Sequence, residues 1–195
     1  LVNTPAVNHL QLGTGAGSGT LSGTPSLTNM IVGPFARNYP SSRTASGTYT
    51  NATLYPVGKV GNYTPIHVDP TTNAGGPVII SSELFTSNSG MAASGLTNLS
   101  NNRWEALILS GLANFVSTNI RLNDASLISD DKIVQAPSSA GEYGSIIPVS
   151  TFAAGTPNTL TTTGTQILAV NYTGFLSSAE LQVCSGTPSA GVASP

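Results

Sequence analysis

Arg103-Trp-Glu-Ala-Leu-Ile-Leu-Ser-Gly-Leu-Ala-Asn-Phe-Val116 is the stretch on which the fold class turns. Trp104, Leu107, Ile108, Gly111, Leu112, Phe115 and Val116 fall at helical spacing. Two features oppose a helix. Ser110-Gly111 sits in the middle, where glycine costs about 1 kcal/mol relative to alanine. Asn114 competes with the backbone for hydrogen bonds and is a weak helix former. The other reading is a strand over 103–109, a turn at Ser110-Gly111, and a strand over 115–122. The strand reading is preferred, and with it the chain becomes all-β.

The flanking sequence agrees. Turn signals recur at residues 13–19, Gly23-Thr24-Pro25, Gly33-Pro34, Tyr39-Pro40, Asp69-Pro70, Gly75-Gly76-Pro77 and Thr156-Pro157-Asn158. Short β-rich runs lie between them, at 7–12, 30–35, 53–57, 63–68, 78–85 and 165–172. Short strands punctuated in this way predict a β-sandwich, jelly-roll or immunoglobulin-like. With 13 prolines and 21 glycines, little room is left for long helices. Residues 1–183 read as one domain. Within it, 1–29 read as an extending or donated N-terminal strand with a glycine-rich hinge. Residues 184–195 read as a linker or the start of a following module. No close internal repeat is visible. The chain opens at Leu1 without a signal peptide, which reads as a processed or excised piece.

Charge narrows the function classes. Hydrophobic residues make up 39% of the 195, enough for a core, whereas charged residues make up 7% against ~25% in ordinary soluble domains. Ser, Thr, Asn and Gly coat the sheets and turns instead. Such a surface packs against other copies at little desolvation cost. The net charge is −2 with no basic patch, so nucleic acid is not an expected partner. No apolar run approaches the ~18 residues of a membrane helix. The single cysteine, Cys184, cannot form an internal disulfide.

Several motifs carry a family resemblance. Ile31-Val-Gly-Pro-Phe-Ala-Arg37 is followed by Ala52-Thr-Leu-Tyr-Pro-Val-Gly-Lys-Val-Gly-Asn-Tyr-Thr-Pro-Ile66 and then by Asn102-Arg-Trp-Glu-Ala-Leu107. Together they resemble a β-sandwich module repeated in large Bacteroidetes cell-surface, adhesin-like proteins exported by type IX secretion. Cys184-Ser-Gly-Thr-Pro188 is similar to the opening of the immunoglobulin-like unit that often follows. The resemblance spans about residues 30–185. It implies a sandwich, an extracellular cell-surface address and no assigned catalysis. It also implies that Cys184 pairs inside a following domain.

The matched residues suit packing. Pro56 gives no N–H and fits a strand end or edge. Gly58 and Gly61 allow a bend before Tyr63, and Pro65 holds Thr64 extended. Trp104 is expected to anchor the core, with its indole N–H needing an acceptor. Arg37 or Arg103 is expected to lay its stem over apolar surface.

Candidate chemistry is sparse. His67 and Asp69 share a strand face and read as a strand-end histidine beside a turn, or as half of a metal site or catalytic pair. His9, the only other histidine, has no acidic neighbour. Asp124, Asp130 and Asp131 are weak calcium candidates. They lack EF-hand spacing, and their commoner use is capping turns. Of the glutamates Glu83, Glu105, Glu142 and Glu180, no two are tied together as a glycosidase pair. The glycine run at 13–19 lacks P-loop and dinucleotide-binding spacing, and no G-x-S-x-G motif occurs. Asn-X-Ser/Thr triplets at Asn51, Asn62, Asn98 and Asn171 are expected by chance in so Asn- and Thr-rich a chain.

These readings predict a structural subunit or repeat of an extracellular filament, with no catalytic residues and copies of itself as partners. Assembly would run through sheet edges or an exchanged strand carrying Val7, Leu10 and Leu12, or through a C-terminal one carrying Leu181, Val183 and Val192. The alternative is an adhesin or carbohydrate-binding module contacting surface glycans, with a groove around Tyr49, Tyr55 and Tyr63.

Overall fold

The computed structural model describes residues 2–3, 9–14, 17, 19–145, 150–162 and 173–181. The strands there are β1 (Val2–Asn3), β2 (Leu10–Leu12), β3 (Ile31–Val32), β4 (Phe35–Tyr39), β5 (Leu54–Tyr55) and β6 (Val57–Lys59). Next come β7 (Asn62–Tyr63), β8 (Ile66–Thr72), β9 (Val78–Phe85), β10 (Met91–Ala92), β11 (Leu96–Thr97) and β12 (Arg103–Ser110). The last are β13 (Phe115–Asn123), β14 (Asp131–Ala136), β15 (Glu142–Ser145), β16 (Ser150–Ala153), β17 (Thr159–Thr162) and β18 (Thr173–Leu181). The only helical element among the described residues is a 3-10 turn, Leu112–Asn114.

The contested stretch is two strands, β12 and β13. Trp104 and Ala106 on β12 are buried in the core, and Ile108 packs against it. Gly111 makes the reversal with φ of 77°. A Cβ there would meet the Pro77 carbonyl oxygen at 2.1 Å. Leu112 and Val116, two of the residues at helical spacing, stay exposed, so that spacing has no continuous buried face behind it.

Two sheets form the sandwich. The larger runs β10-β15-β14-β18-β12-β9-β4-β2, with β11 also paired to β18. The opposing sheet runs β16-β17-β13-β8-β5, and a small third sheet runs β1-β3-β6-β7. One core fills the space between the two main layers. Phe35, Tyr39, Ile80, Leu84, Trp104 and Leu176 come from the larger sheet, and Ile66, Val68, Ile120, Leu122 and Leu160 from the other. A second cluster, Val134, Ala136, Tyr143 and Ala179, lies apart from it, with Phe85, Leu96 and Leu99 packed against it.

Three aromatic side chains tie the layers together. The Trp104 indole N–H donates to the Thr64 carbonyl at 2.7 Å. The Tyr39 hydroxyl donates to Val68 O at 2.8 Å, and the Tyr55 hydroxyl to Ile80 O at 3.0 Å. Burial pushes the Tyr39 hydroxyl up to about 12, so it stays a donor across the neutral range. Each such ring removes ~150–250 Å² from water, worth at most about 4–6 kcal/mol at ~25 cal/mol/Å².

The structure corrects four element expectations. Asp69-Pro70 is not a turn, because both residues lie inside β8, with Pro70 opposite Thr118 of β13. Pro70 would point its missing N–H to the side of β5, and β5 pairs only with Ile66 and His67, so no ladder bond is lost. The run 30–35 is broken by Gly33-Pro34 into β3 and β4, which join different sheets. The run 53–57 likewise divides between β5 and β6 at Pro56, and the run 63–68 between β7 and β8 at Thr64-Pro65. The expected strands at 7–12 and 165–172 fall partly or wholly outside the described residues, as does the segment 184–195.

Candidate functional site

Asp131 and Glu180 stand directly opposite each other where β14 begins and β18 ends. With Ser178 they line a cavity of about 560 Å³. One wall is residues 98–102 and the other includes Ser126 and Ile128. Burial, with the negative charges of Glu180 and Asp124 nearby, holds the Asp131 carboxyl above the usual carboxylate range. The backbone N–H of Ile128 pulls it the other way.

Hydrogen bonds fix both walls. On the first, Ser100 N–H donates to Ser178 O at 2.8 Å and the Ser177 hydroxyl to Asn102 O at 2.7 Å. The Asn88 amide reaches Ser100 O at 3.1 Å. On the second, Asp124 Oδ1 accepts from the N–H and hydroxyl of Ser126, both at 2.9 Å. Asp131 Oδ2 accepts from Ile128 N–H at 2.9 Å. The Asn102 amide bridges the walls, donating to Asp124 Oδ2 at 2.6 Å. The cleft is therefore formed by the fold itself.

Two of the three calcium candidates, Asp124 and Asp131, thus serve as turn caps. Asp130 is exposed and accepts from the Ser129 hydroxyl at 3.3 Å. Among the described residues no group of three or more His, Cys, Asp and Glu side chains is placed to hold a metal ion.

His67 and Asp69 make separate partnerships. His67 Nδ1 lies 3.0 Å from the Thr53 hydroxyl, and Tyr49 packs edge-on against the ring. Burial first, then the Arg121 and Arg37 guanidiniums, lower its pKa to about 4. Asp69 organises the loop before β5. It pairs with Arg43 and accepts from the N–H groups of Ser46 and Gly47, each at 2.8 Å.

Folding also brings together two glutamates that nothing in the sequence connects. Glu83 and Glu105 are directly opposed across β9 and β12. Lys59 Nζ donates to Glu83 Oε1 at 2.8 Å and lies 5.1 Å from the Phe85 ring centre. Burial, then the charge of Glu83, raises the Glu105 carboxyl above its ordinary value. The pair sits in an ionic cluster that fastens β6 to the sheet.

The three tyrosines do not form a shared groove. Tyr55 is fully buried in the core, while Tyr49 and Tyr63 are half-buried. At the N-terminal edge, Leu10, Gln11 and Leu12 of β2 pair in parallel with Phe35, Ala36 and Arg37. Leu10 is 40% exposed and Leu12 packs against the main core. Beside them lies an apolar groove of about 260 Å³, lined in part by Leu21, Met30, Phe35 and Pro56. Leu181 pairs through its backbone with Leu96. Val7, Val183, Val192 and Cys184 lie outside the described residues.

No family model, curated protein or solved structure matches this chain. The likeness to the Bacteroidetes surface module therefore rests on the quoted motifs alone. Their residues act in packing. Arg37 is fully buried, with Nε donating to Leu54 O at 2.9 Å and Nη2 to Asn51 O. Arg103 lies 4.9 Å from the Phe85 ring centre. A Cβ at Gly58 would meet Met30 Sδ at 2.2 Å, so the side chain is absent where another packs.

Sequence reasoning missed the cleft. Its first wall, Asn98-Leu-Ser-Asn-Asn102, registered only as a glycosylation triplet. The usable signal was a dense run of amides and a hydroxyl between two strands. No local pattern announces the meeting of Asp131 with Glu180.

Proposed function

We propose that the protein is a structural subunit or repeat of an extracellular surface fibre, assembled by contacts between its own copies. The observation that carries this reading is the placement of charge. The chain has six Lys and Arg and eight Asp and Glu. Of all fourteen side chains, only Asp130 and Glu142 are exposed; the rest are buried or half-buried. The molecule presents hydroxyls, amides and single apolar side chains to its neighbours, with almost no charge to hold copies apart.

The sheet edges support the same reading. Among the described residues, the strands ending the three sheets, β1, β2, β5, β7, β10 and β16, contain no charged residue. Natural sheets commonly protect edges with lysine or other charges. Here the described edge strands are two to four residues long and uncharged. A contact between different surfaces of identical copies repeats without closing and gives a filament.

The test is sedimentation of the purified chain over a wide concentration range, with negative-stain microscopy of the concentrated sample. Mass should rise with concentration toward elongated assemblies. Gln11→Lys or Thr151→Lys, each at an exposed position on an edge strand, should cut the association while the thermal transition stays in place. A chain that remains monomeric at the highest concentration, or assembles equally well with both lysines, would overturn the proposal.

A second reading, a ligand-binding module of a larger surface protein, is favoured by one separate observation. That observation is the cleft between residues 98–102 and the 124–131 loop, whose walls are pinned by hydrogen bonds within the chain.

A further inference from the structure

The cleft at the start of β14 and the end of β18 has a lining that selects for a chemical class. Asn98 and Asn101 are exposed on its first wall, and among the described residues neither side chain makes a hydrogen bond. Each amide offers two donors and an acceptor. Across from them, Asp131 keeps one carboxylate oxygen free of the capping bond to Ile128 N–H. Glu180 opposes it, with no hydrogen bond or ion pair among the described residues. Leu99 and Ile128 add apolar surface to an otherwise polar cavity.

No Lys or Arg lines this cavity. Two carboxylates face each other there, with Asp124 nearby, and the neighbouring Lys132 ammonium is held on the backbone oxygens of Asp130 and Asp131, so the local field disfavours anions. Phosphates, nucleotides and acidic sugars are disfavoured. Among the described residues no group of three acidic, histidine or cysteine side chains forms there. What remains is a ligand with many hydroxyl donors and acceptors, a partly apolar face, and no negative charge. About 560 Å³ lies in the range of small-molecule sites, ~300–1,000 Å³.

We propose that this cleft binds a non-anionic saccharide, with Asn98 and Asn101 bonding its hydroxyls and Asp131 and Glu180 accepting from hydroxyl or ammonium groups. Leu99 and Ile128 cover the C–H face of a sugar ring. This inference rests on the second reading, the binding module, and not on self-association.

Calorimetric titration of the whole chain tests it. The probes are cello-, manno- and galacto-oligosaccharides as neutral ligands, chitosan oligomers as amino sugars, and oligogalacturonates as acidic ones. At least one neutral or amino series should bind saturably, and the oligogalacturonates should not. Asn101→Ala and Glu180→Gln should each weaken that binding about tenfold, as expected for one lost hydrogen bond to ligand. An amino-sugar ligand should suffer more from Glu180→Gln than from Asn101→Ala, and a neutral one should not. Glu180→Gln keeps the side chain's shape and removes a repulsion, so its fold is secure; amide NMR shifts confined to residues 98–102 and 126–131 would place the ligand.

Silence across the whole panel, preference for the acidic series, or affinities unchanged by both variants would overturn the site. Sedimentation of Glu180→Gln should match that of the wild type. Failure of the cleft therefore leaves the assembly proposal standing, and failure of assembly leaves the cleft.

Discussion

His67 is neutral in the folded chain. Burial and the facing Arg121 and Arg37 guanidiniums lower its pKa from 6.5 to about 4. Below pH 6.5 the unfolded chain takes a proton that the folded chain refuses. This contribution to stability is complete above pH 6.5 and is lost as the pH falls toward 4, to a limit of about 3 kcal/mol. Asp131 and Glu105, both raised, work in the opposite sense at lower pH. A His67→Gln variant isolates the term. The urea midpoint of the wild type should fall between neutral and mildly acidic pH by more than that of the variant; equal slopes would refute the assignment. At this scale the sequence states needs better than partners. Trp104 must have an acceptor for its N–H, but that the acceptor is Thr64, forty residues earlier, emerges only when β12 packs over the opposing sheet.

Between β12 and β13 the chain reverses through one residue that tolerates no side chain. Gly111 combines a φ of 77° with a carbonyl oxygen 2.1 Å from where a Cβ would sit. Gly111→Ala should therefore destabilise by more than about 1 kcal/mol, read as a lowered urea midpoint. Ala113→Ser, exposed two residues on, should change little. The reversal itself was legible, because Ser110-Gly111 outweighed an apolar pattern that mimicked a helix. The Asp69-Pro70 pair was misread for the opposite reason. A proline is compatible with a strand wherever its missing donor faces no partner, and that depends on where β5 stops. Parallel pairings such as β2 with β4 are equally hidden, since the twenty-odd residues between them carry no periodic signal.

For the molecule as a whole, frequent Gly and Pro turns between short β-rich runs sufficed for an all-β fold. Sheet order did not follow, because it is decided by contacts such as Asp131 with Glu180 and Trp104 with Leu176, far apart in the chain. The cleft inherits that blindness, as its floor and walls come from three separate segments. The inward placement of the cations was also unreadable from composition. Five of the six, Arg37, Lys59, Arg103, Arg121 and Lys132, lie within strands. The sixth, Arg43, is half-buried on a loop and pinned by Asp69 and the Pro70 carbonyl. A protease that cuts after Lys and Arg must first have its target pulled free of a ladder. Trypsin should leave the native chain uncut over a digestion that fragments the urea-unfolded chain at all six positions. Any slow native nick should fall after Arg43, and mass spectrometry of the early products showing cleavage after Arg103 or Arg121 instead would contradict this. Resistance to digestion is thus a by-product of how sparingly, and how deeply, this sequence places its positive charge.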